Sequence, residues 1–326
     1  MEATPPLPEA LTERWCAAIA RRHSRRSFQD RPLAPHERDA MAAHCRTFRP
    51  FSAVRVVLLA EAPESLFAHR RDDRPTMSAV GRAYMGIMGS YGRISGAPAA
   101  LAFAGELAPG AADARPDATA QGADAPDASL RSASRSDDSD FAIEELIGYV
   151  GEAAVLEAAA LGLDTCWVAG FFSPGLTESL IGAGTGEMVF AVSPLGHAAD
   201  TLSGKEKYVF QMGRPKKRLK LEHIALGLFS KDWPHWAVAG VRAVQTAPSA
   251  TNRQPWRFRL DGDTIVLASN GPDTYGVSKR IDCGIAMLHF ELGVRQAGRG
   301  GHWEPPDTGE RLDVARWRPT AASRLV

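Results

Sequence analysis

Charge of one sign is missing from this sequence: 38 Lys and Arg residues balance 38 Asp and Glu residues over 326 positions. A near-neutral field excludes nucleic acid and anionic membrane as main partners, since both recruit proteins through long-range positive potential. Long apolar runs are missing too, none reaching the ~18 residues that a membrane helix needs. Residues 1–8 are Pro-rich and acidic, without the basic and apolar regions of a signal peptide, so the expected location is cytoplasmic. Cysteine is scarce. Cys16, Cys45, Cys166 and Cys283 are scattered without metal-ligand spacing and read as buried thiols in a reducing compartment. The nine histidines show no HxxxH or paired-carboxylate pattern, so no metal site is expected. The glycine-dense stretch from Gly182 to Gly186 lacks a Walker lysine and a GxGxxG frame, and reads as a loop.

What is present is an ordinary globular composition, 44% hydrophobic and 23% charged, with length enough for two cores. Basic residues gather in two short knots, Arg21, Arg22, Arg25 and Arg26, and again over residues 214–220. On a neutral protein such knots suit a small anion. Helical spacing predicts a first helix ending near Arg22, followed by a polar, basic loop. Buried strands are predicted over 54–60 and 98–104, with a helix over 77–88 between them. Residues 108–140 are dominated by Ala, Asp, Ser, Pro and Gly and carry almost no large apolar side chain. Such a segment cannot offset its ordering entropy by burial, and reads as a flexible insertion. Further predicted elements are a long apolar helix over 141–162, strands over 165–169 and 188–193, and a helix over 236–245. A hairpin over 256–268 turns at Asp261-Gly262-Asp263, and a last helix spans 284–297.

An internal repeat connects the two halves. Gly148, Leu156, Gly162 and Trp167 superpose without gaps on Gly284, Leu292, Gly298 and Trp303, at a constant offset of 136 residues. Both sets lie in helix–turn–strand contexts, which points to two related lobes.

Two strings carry the chemistry. In the run Arg22-His23-Ser24-Arg25-Arg26-Ser27-Phe28, the residues Arg22, Ser24 and Arg26 alternate, so an extended backbone turns them the same way. Guanidinium forks and a hydroxyl converging there would hold a phosphate and a polar ring edge. A solvated basic helix end suits the same residues, and taken alone they leave both readings open. In the run 247–256, proline at both ends fixes a loop in which Ser249 and Asn252 offer short polar groups able to read an amide-like edge.

Together these strings resemble the nitroreductase family. The first is similar to its Arg-Arg-Ser-x-Arg-x-Phe-x-Asp-x-Pro opening, and the second to its Pro-Ser-x-x-Asn-x-Gln-Pro-Trp loop. The Ala-rich helix of residues 151–162 with the following Cys166-Trp167-Val168-Ala169-Gly170 resembles a third signature, and residues 218–224 resemble the closing one. The resemblance covers most of the chain apart from 108–140 and the extreme C-terminus. It implies an α+β fold of two pseudo-twofold-related lobes, each with a mixed β-sheet flanked by helices, and an FMN site. By motif position Arg22, Ser24, Lys217 and Arg218 would neutralise the FMN phosphate, with His23 beside them. Arg26 and Arg93 would lie near the N1/O2 edge, and Ala169 and Gly170 would offer backbone donors near N5. Pro248, Ser249, Ala250 and Asn252 would approach the ring from the other lobe. The implied activity is NAD(P)H-dependent reduction of an electron-poor small molecule, nitroaromatic or quinone-like, by a ping-pong mechanism that needs no catalytic side chain. A flavin-binding protein without turnover is the alternative.

Departures from the family pattern are complementary. The first lobe (1–220) has no Pro-Ser-x-x-Asn loop, reading Cys45-Arg46-Thr47-Phe48-Arg49-Pro50 in its place. The second lobe (221–326) has no basic string, reading Lys231-Asp232-Trp233-Pro234-His235-Trp236. His23 stands where Arg is usual, and Ala169 where Gly is usual. This pattern resembles a single-chain branch in which one polypeptide imitates the usual homodimer, so a monomer with one complete site is expected.

Overall fold

The computed structural model describes residues 4–67, 94–107, 135–136, 139–170, 172–200, 217–229, 232–271, 273, 277–307 and 310–320. Its first elements are α1 (Glu9–Ile19), α2 (Pro35–Thr47), β1 (Val54–Leu59), β2 (Ala99–Glu106), β3 (Arg135–Ser136) and β4 (Ser139–Ala142). Then come α3 (Ile143–Ala160), β5 (Asp164–Thr165), α4 (Pro174–Leu180), β6 (Glu187–Gly196), α5 (Leu221–Ile224) and β7 (Ala225–Leu226). The last are α6 (His235–Val244), β8 (Trp256–Asp261), β9 (Thr264–Ser269), α7 (Lys279–Gln296), β10 (Gly301–Glu304) and β11 (Asp313–Pro319).

The strands form two main sheets with one wiring. The first runs β1-β2-β6-β5, and the second contains β8-β9-β11-β10 in the corresponding order, with β7 added beside β8. Helices α3 and α7, 18 residues each, begin and end at the 136-residue offset seen in the sequence. Each is followed by a glycine in the left-handed region, Gly162 at φ 81° and Gly298 at φ 75°, where a side chain would strain the turn. The fold is therefore α+β with two pseudo-twofold-related lobes. Among the named strands of the first lobe all pairings are antiparallel. Its parallel contacts are isolated bridges, Ser24 to Thr165 and Ser27 to Ser95, whereas β7 and β8 pair in parallel in the second lobe.

Helices α3 and α7 form the centre and are buried along nearly their whole length. An all-round apolar helix is what a fully enclosed position needs, and α3 has that composition. The two cross where Gly148 meets Gly284, the first pair of the repeat. A Cβ on Gly148 would drive into the Ile281 carbonyl oxygen, and one on Gly284 into the Glu145 carbonyl. Charges that enter this core are paired, Glu144 excepted, whose oxygens have no hydrogen-bond partner. Glu145 takes the Arg280 guanidinium, and Glu291 accepts from the Tyr149 hydroxyl at 2.9 Å and from Arg295 Nε at 2.8 Å. Glu157 accepts from Trp15 Nε1 at 3.0 Å, and Glu152 bonds His289 Nε2 at 2.9 Å.

Several sequence expectations need correction. The first helix stops at Ile19, and Arg22 already lies beyond it. The polar stretch after it contains α2, with Pro35 in the first turn and Glu37 Oε2 accepting from Ala34 N at 2.8 Å; its charged composition hid the helix. Helix α7 starts at Lys279, five residues before the expected Gly284, capped by the Ser278 hydroxyl, because its charged first turn is buried and bonded. Strand β10 falls at Trp303, where the repeat placed a strand, whereas β11 was not expected. The predicted helix over 77–88 lies outside the described residues, as does the 108–140 insertion except where 135–136 and 139–140 contribute to β3 and β4.

The helix crossing makes a direct prediction. Gly148→Ala forces backbone apart in a packed core and should cost about 2–4 kcal/mol in urea unfolding. Gly175→Ala, with open space around its Cβ position in α4, should be neutral or mildly stabilising. Equal stability for both variants would contradict this crossing.

Candidate functional site

The basic string is an extended rib clamped on both edges. Arg25 N donates to the Thr165 carbonyl at 2.9 Å, Ser95 N to the Arg26 carbonyl at 2.9 Å, and Ala199 N to the Ser27 carbonyl at 2.9 Å. Arg25 reaches across to the Ala199 carbonyl at 2.8 Å, and Ser27 is buried. Arg22 precedes the rib, its N–H donating to the Ala18 carbonyl at 3.0 Å in the turn that closes α1. His23 and Ser24 are exposed, while Arg22 and Arg26 are half-buried. Arg22 Nε is out of contact with water and has no hydrogen-bond partner.

The loop before β8 holds an unusual backbone. Thr251, Asn252 and Gln254 all have positive φ (51°, 54° and 47°), each a conformation costing a non-glycine residue about 1–3 kcal/mol. Side chains over-determine it. Arg253 donates to Asp282 Oδ2 at 2.6 Å and to the carbonyls of Val277 and Ser278 at 3.0 and 2.8 Å. Asp282 Oδ1 also accepts from Ala250 N at 3.0 Å. Burial raises the pKa of the Asp282 carboxyl, opposed by Arg253 and the Ala250 amide. Gln254, buried, accepts from Leu219 N at 2.8 Å and donates to the Lys217 carbonyl at 3.2 Å, while its own N–H goes to Ser249 Oγ at 3.0 Å. Pro248 is buried at the loop's base, and Ser249, Ala250 and Asn252 are half-buried.

Arg218 joins the two pieces. Its guanidinium donates to the Ala247 carbonyl at 2.6 Å, Asn252 Oδ1 at 3.0 Å and the Thr246 carbonyl at 3.1 Å. It keeps an exposed edge. Even so, the protein around it, and next the charge of Arg22, hold its pKa below the ordinary arginine value; Glu152 acts the other way. Arg22 therefore lies near enough for its charge to act on the Arg218 guanidinium. Lys217 is exposed beside them. At the far end, Val277 Cγ2 lies 3.6 Å from the Cβ position of exposed Gly170, and half-buried Ala169 packs against the core. Trp167, just before, is held by a 2.8 Å bond from its Nε1 to Glu152.

The structure therefore brings Arg22, Arg218 and the loop of Pro248, Ser249, Ala250 and Asn252 together, with Ala169 and Gly170 against the second lobe. Arg93 lies outside the described residues. Sequence reasoning missed Arg253, Gln254 and Asp282. The first two stood inside the quoted loop string; Asp282 carried no signal, because its helix was expected to begin after it. Among the described residues no cluster of His, Cys, Asp or Glu could hold a metal ion, and no helix is long and apolar enough to cross a membrane.

The fold defines a class, an α+β protein with two sheets wired alike. The family model described as "Putative TM nitroreductase" matches residues 132–294, half of the chain. The chain belongs to this nitroreductase family, a family of oxidoreductases. A crystal structure of a "putative nitroreductase" from Thermotoga maritima is 18% identical, covers 94% of this chain and 92% of its own, and superposes with a TM-score of 0.48. A nitroreductase with bound FMN from Desulfitobacterium hafniense is also 18% identical, covering 58% of this chain and 91% of its own at a TM-score of 0.36. No curated protein matches the sequence.

The buried ion pair at the loop's root is testable. Asp282→Asn removes the carboxylate charge that Arg253 and the Ala250 amide bond and should cost about 1–3 kcal/mol in chemical denaturation. It should also speed hydrogen exchange at the Ala250 amide. Unchanged stability and exchange would mean that Asp282 does not hold this loop.

Proposed function

We propose that the chain is an FMN-dependent oxidoreductase that passes electrons from NAD(P)H to an electron-poor small molecule, nitroaromatic or quinone-like, by a ping-pong cycle. The observation that carries this reading is the neighbouring cations Arg22 and Arg218. Burial, and next the charge of Arg22, hold the Arg218 pKa down, Arg22 Nε has no partner, and a phosphate beside them would offset both. An FMN phosphate fits, with Ser24 and Lys217 at its edge. Arg26, together with Arg93, would face the N1/O2 edge of the ring, where positive charge favours the reduced, anionic form. Backbone N–H groups of Ala169 and Gly170 would serve N5. Pro248, Ser249, Ala250 and Asn252 would bound the ring from the second lobe, on a loop too strongly braced to adjust. When bound, FMN would supply the two-electron chemistry, which is why no acid, base or nucleophile need be drawn from the protein to form the hydride acceptor.

This reading also takes the chain as a cytoplasmic monomer imitating a dimer, its lobes meeting near residue 220, with one complete site. The second arrangement of the pseudo-twofold would have neither the basic string nor the braced loop. An absorbance spectrum of the purified protein tests the function: it should be yellow and bleach on anaerobic addition of NADH or NADPH. Colour that persists under both nucleotides would favour a flavin-binding protein without turnover. Arg22→Ala should weaken FMN binding by about 1.5–3 kcal/mol, roughly 10- to 150-fold, with the fold intact. Unchanged affinity would misplace the phosphate site.

A further inference from the structure

Two stretches of chain meet at Arg218, and neither belongs to a sheet. Residues 217–220 run as plain loop, and Gln245-Thr246-Ala247 form the turn that ends α6. Their side chains reach across in both directions. Arg218 donates to the carbonyls of Thr246 and Ala247, the two residues after Gln245. Gln245 Nε2 donates at 2.7 Å to the carbonyl of Leu219, the residue after Arg218. From the other side, Leu219 N donates to Gln254 Oε1 at 2.8 Å, and Gln254 Nε2 to the Lys217 carbonyl at 3.2 Å. A backbone without ladder partners needs its polar groups satisfied elsewhere. Here two glutamine amides do so on either side of Arg218.

The guanidinium keeps charge and donors for a ligand. Its three acceptors are two carbonyls and the Asn252 amide oxygen, none of them charged. A guanidinium has five N–H donors, so the exposed edge of Arg218 can still take an anion. The direction of that edge depends on the backbone from which the side chain starts. Gln254 is not dedicated to that backbone, because its own N–H also closes the strained loop onto Ser249 Oγ at 3.0 Å. Gln245 is. It is half-buried at the end of α6, and among the described residues its side chain makes the single bond to Leu219.

We propose that Gln245 is a positioning residue for the flavin phosphate: through the Leu219 carbonyl it fixes the backbone from which Arg218 meets that anion. The inference rests on the oxidoreductase reading above, which puts the FMN phosphate at Arg218. Without the Gln245 amide the Leu219 carbonyl loses its donor, and residues 217–219 are held from the Gln254 side alone. Arg218 then has to order its own backbone as well as its side chain when the phosphate binds, and that ordering opposes binding. The rest of the flavin is unaffected, since Gln245 reaches the ligand only through Arg218.

This selectivity is the test. Riboflavin is FMN without the phosphate, so removing a residue and removing the phosphate form a cycle that isolates their coupling. Dissociation constants for both flavins would be measured by fluorescence quenching on full-length, flavin-stripped parent, Arg218→Ala, Gln245→Met and Gln245→Ala. Arg218→Ala should weaken FMN about tenfold or more and leave riboflavin as it was. Both Gln245 variants should weaken FMN roughly 3- to 10-fold, with riboflavin within about twofold of the parent. Gln245→Met keeps the side-chain length without the donor, and in it amide hydrogen exchange at Leu219 should also speed up. Equal losses for the two flavins in the Gln245 variants, or no loss for either, would overturn the proposal. Unchanged exchange at Leu219 would overturn it whatever the flavins do. If Arg218→Ala separates the flavins and the Gln245 variants do not, the proposal alone falls. If Arg218→Ala does not separate them, the phosphate is misplaced and both readings fall.

Discussion

The close crossing of α3 and α7 is the constraint on which the rest depends. Gly148 and Gly284 let two backbones meet where any side chain would strike a carbonyl oxygen, so the lobes are held at contact distance. That contact encloses both helices, and enclosure requires their charged side chains to find partners inside the protein. The result is a set of bonds that cross from lobe to lobe: Glu145 with Arg280, Tyr149 with Glu291, Glu152 with His289. Each fixes register as well as separation. Through Glu152 the same network reaches Trp167 and so orients the strand end that carries Ala169 and Gly170.

Against this rigid centre the loop before β8 stores unfavourable terms. Its three left-handed residues would relax if left to themselves. They persist because Arg253, Gln254 and Asp282 tie the loop to α7 and to the 217–219 segment, while Arg218 spans from that segment to Asn252. A bound dianion would offset the like charges of Arg22 and Arg218. Sites that are preorganised in this way lose little in reorganisation when their ligand arrives.

Much of this was legible in the sequence, for identifiable reasons. Gly148 and Gly284 were visible because a backbone contact tolerates one residue type only, and both copies of the repeat kept it. Strands β1, β2 and β6 of the first sheet and the hairpin of the second were plain from dense apolar runs, whereas the strand expected over 165–169 is only Asp164–Thr165. The Pro248 loop was visible as a string with proline at both ends, whereas the Arg22 string taken alone suited a solvated helix end as well. The charged first turn of α7 was missed because its polarity resembles a solvated loop. Only the tertiary structure shows that Asp282 is spent on Arg253. Glu144 was invisible for the same reason: in sequence it is one acid among several at a helix start, and its lack of partners belongs to three-dimensional packing.

The central claim is that one chain builds one flavin site between its own lobes. Co-expression of an Arg22→Ala/Arg26→Ala chain with a Ser249→Ala/Asn252→Ala chain tests it most directly, with bound flavin read from absorbance. If the site is internal, every chain is damaged and the mixture stays as colourless as either variant alone. Flavin returning to part of the mixed population would show that sites form between chains, and would contradict the account.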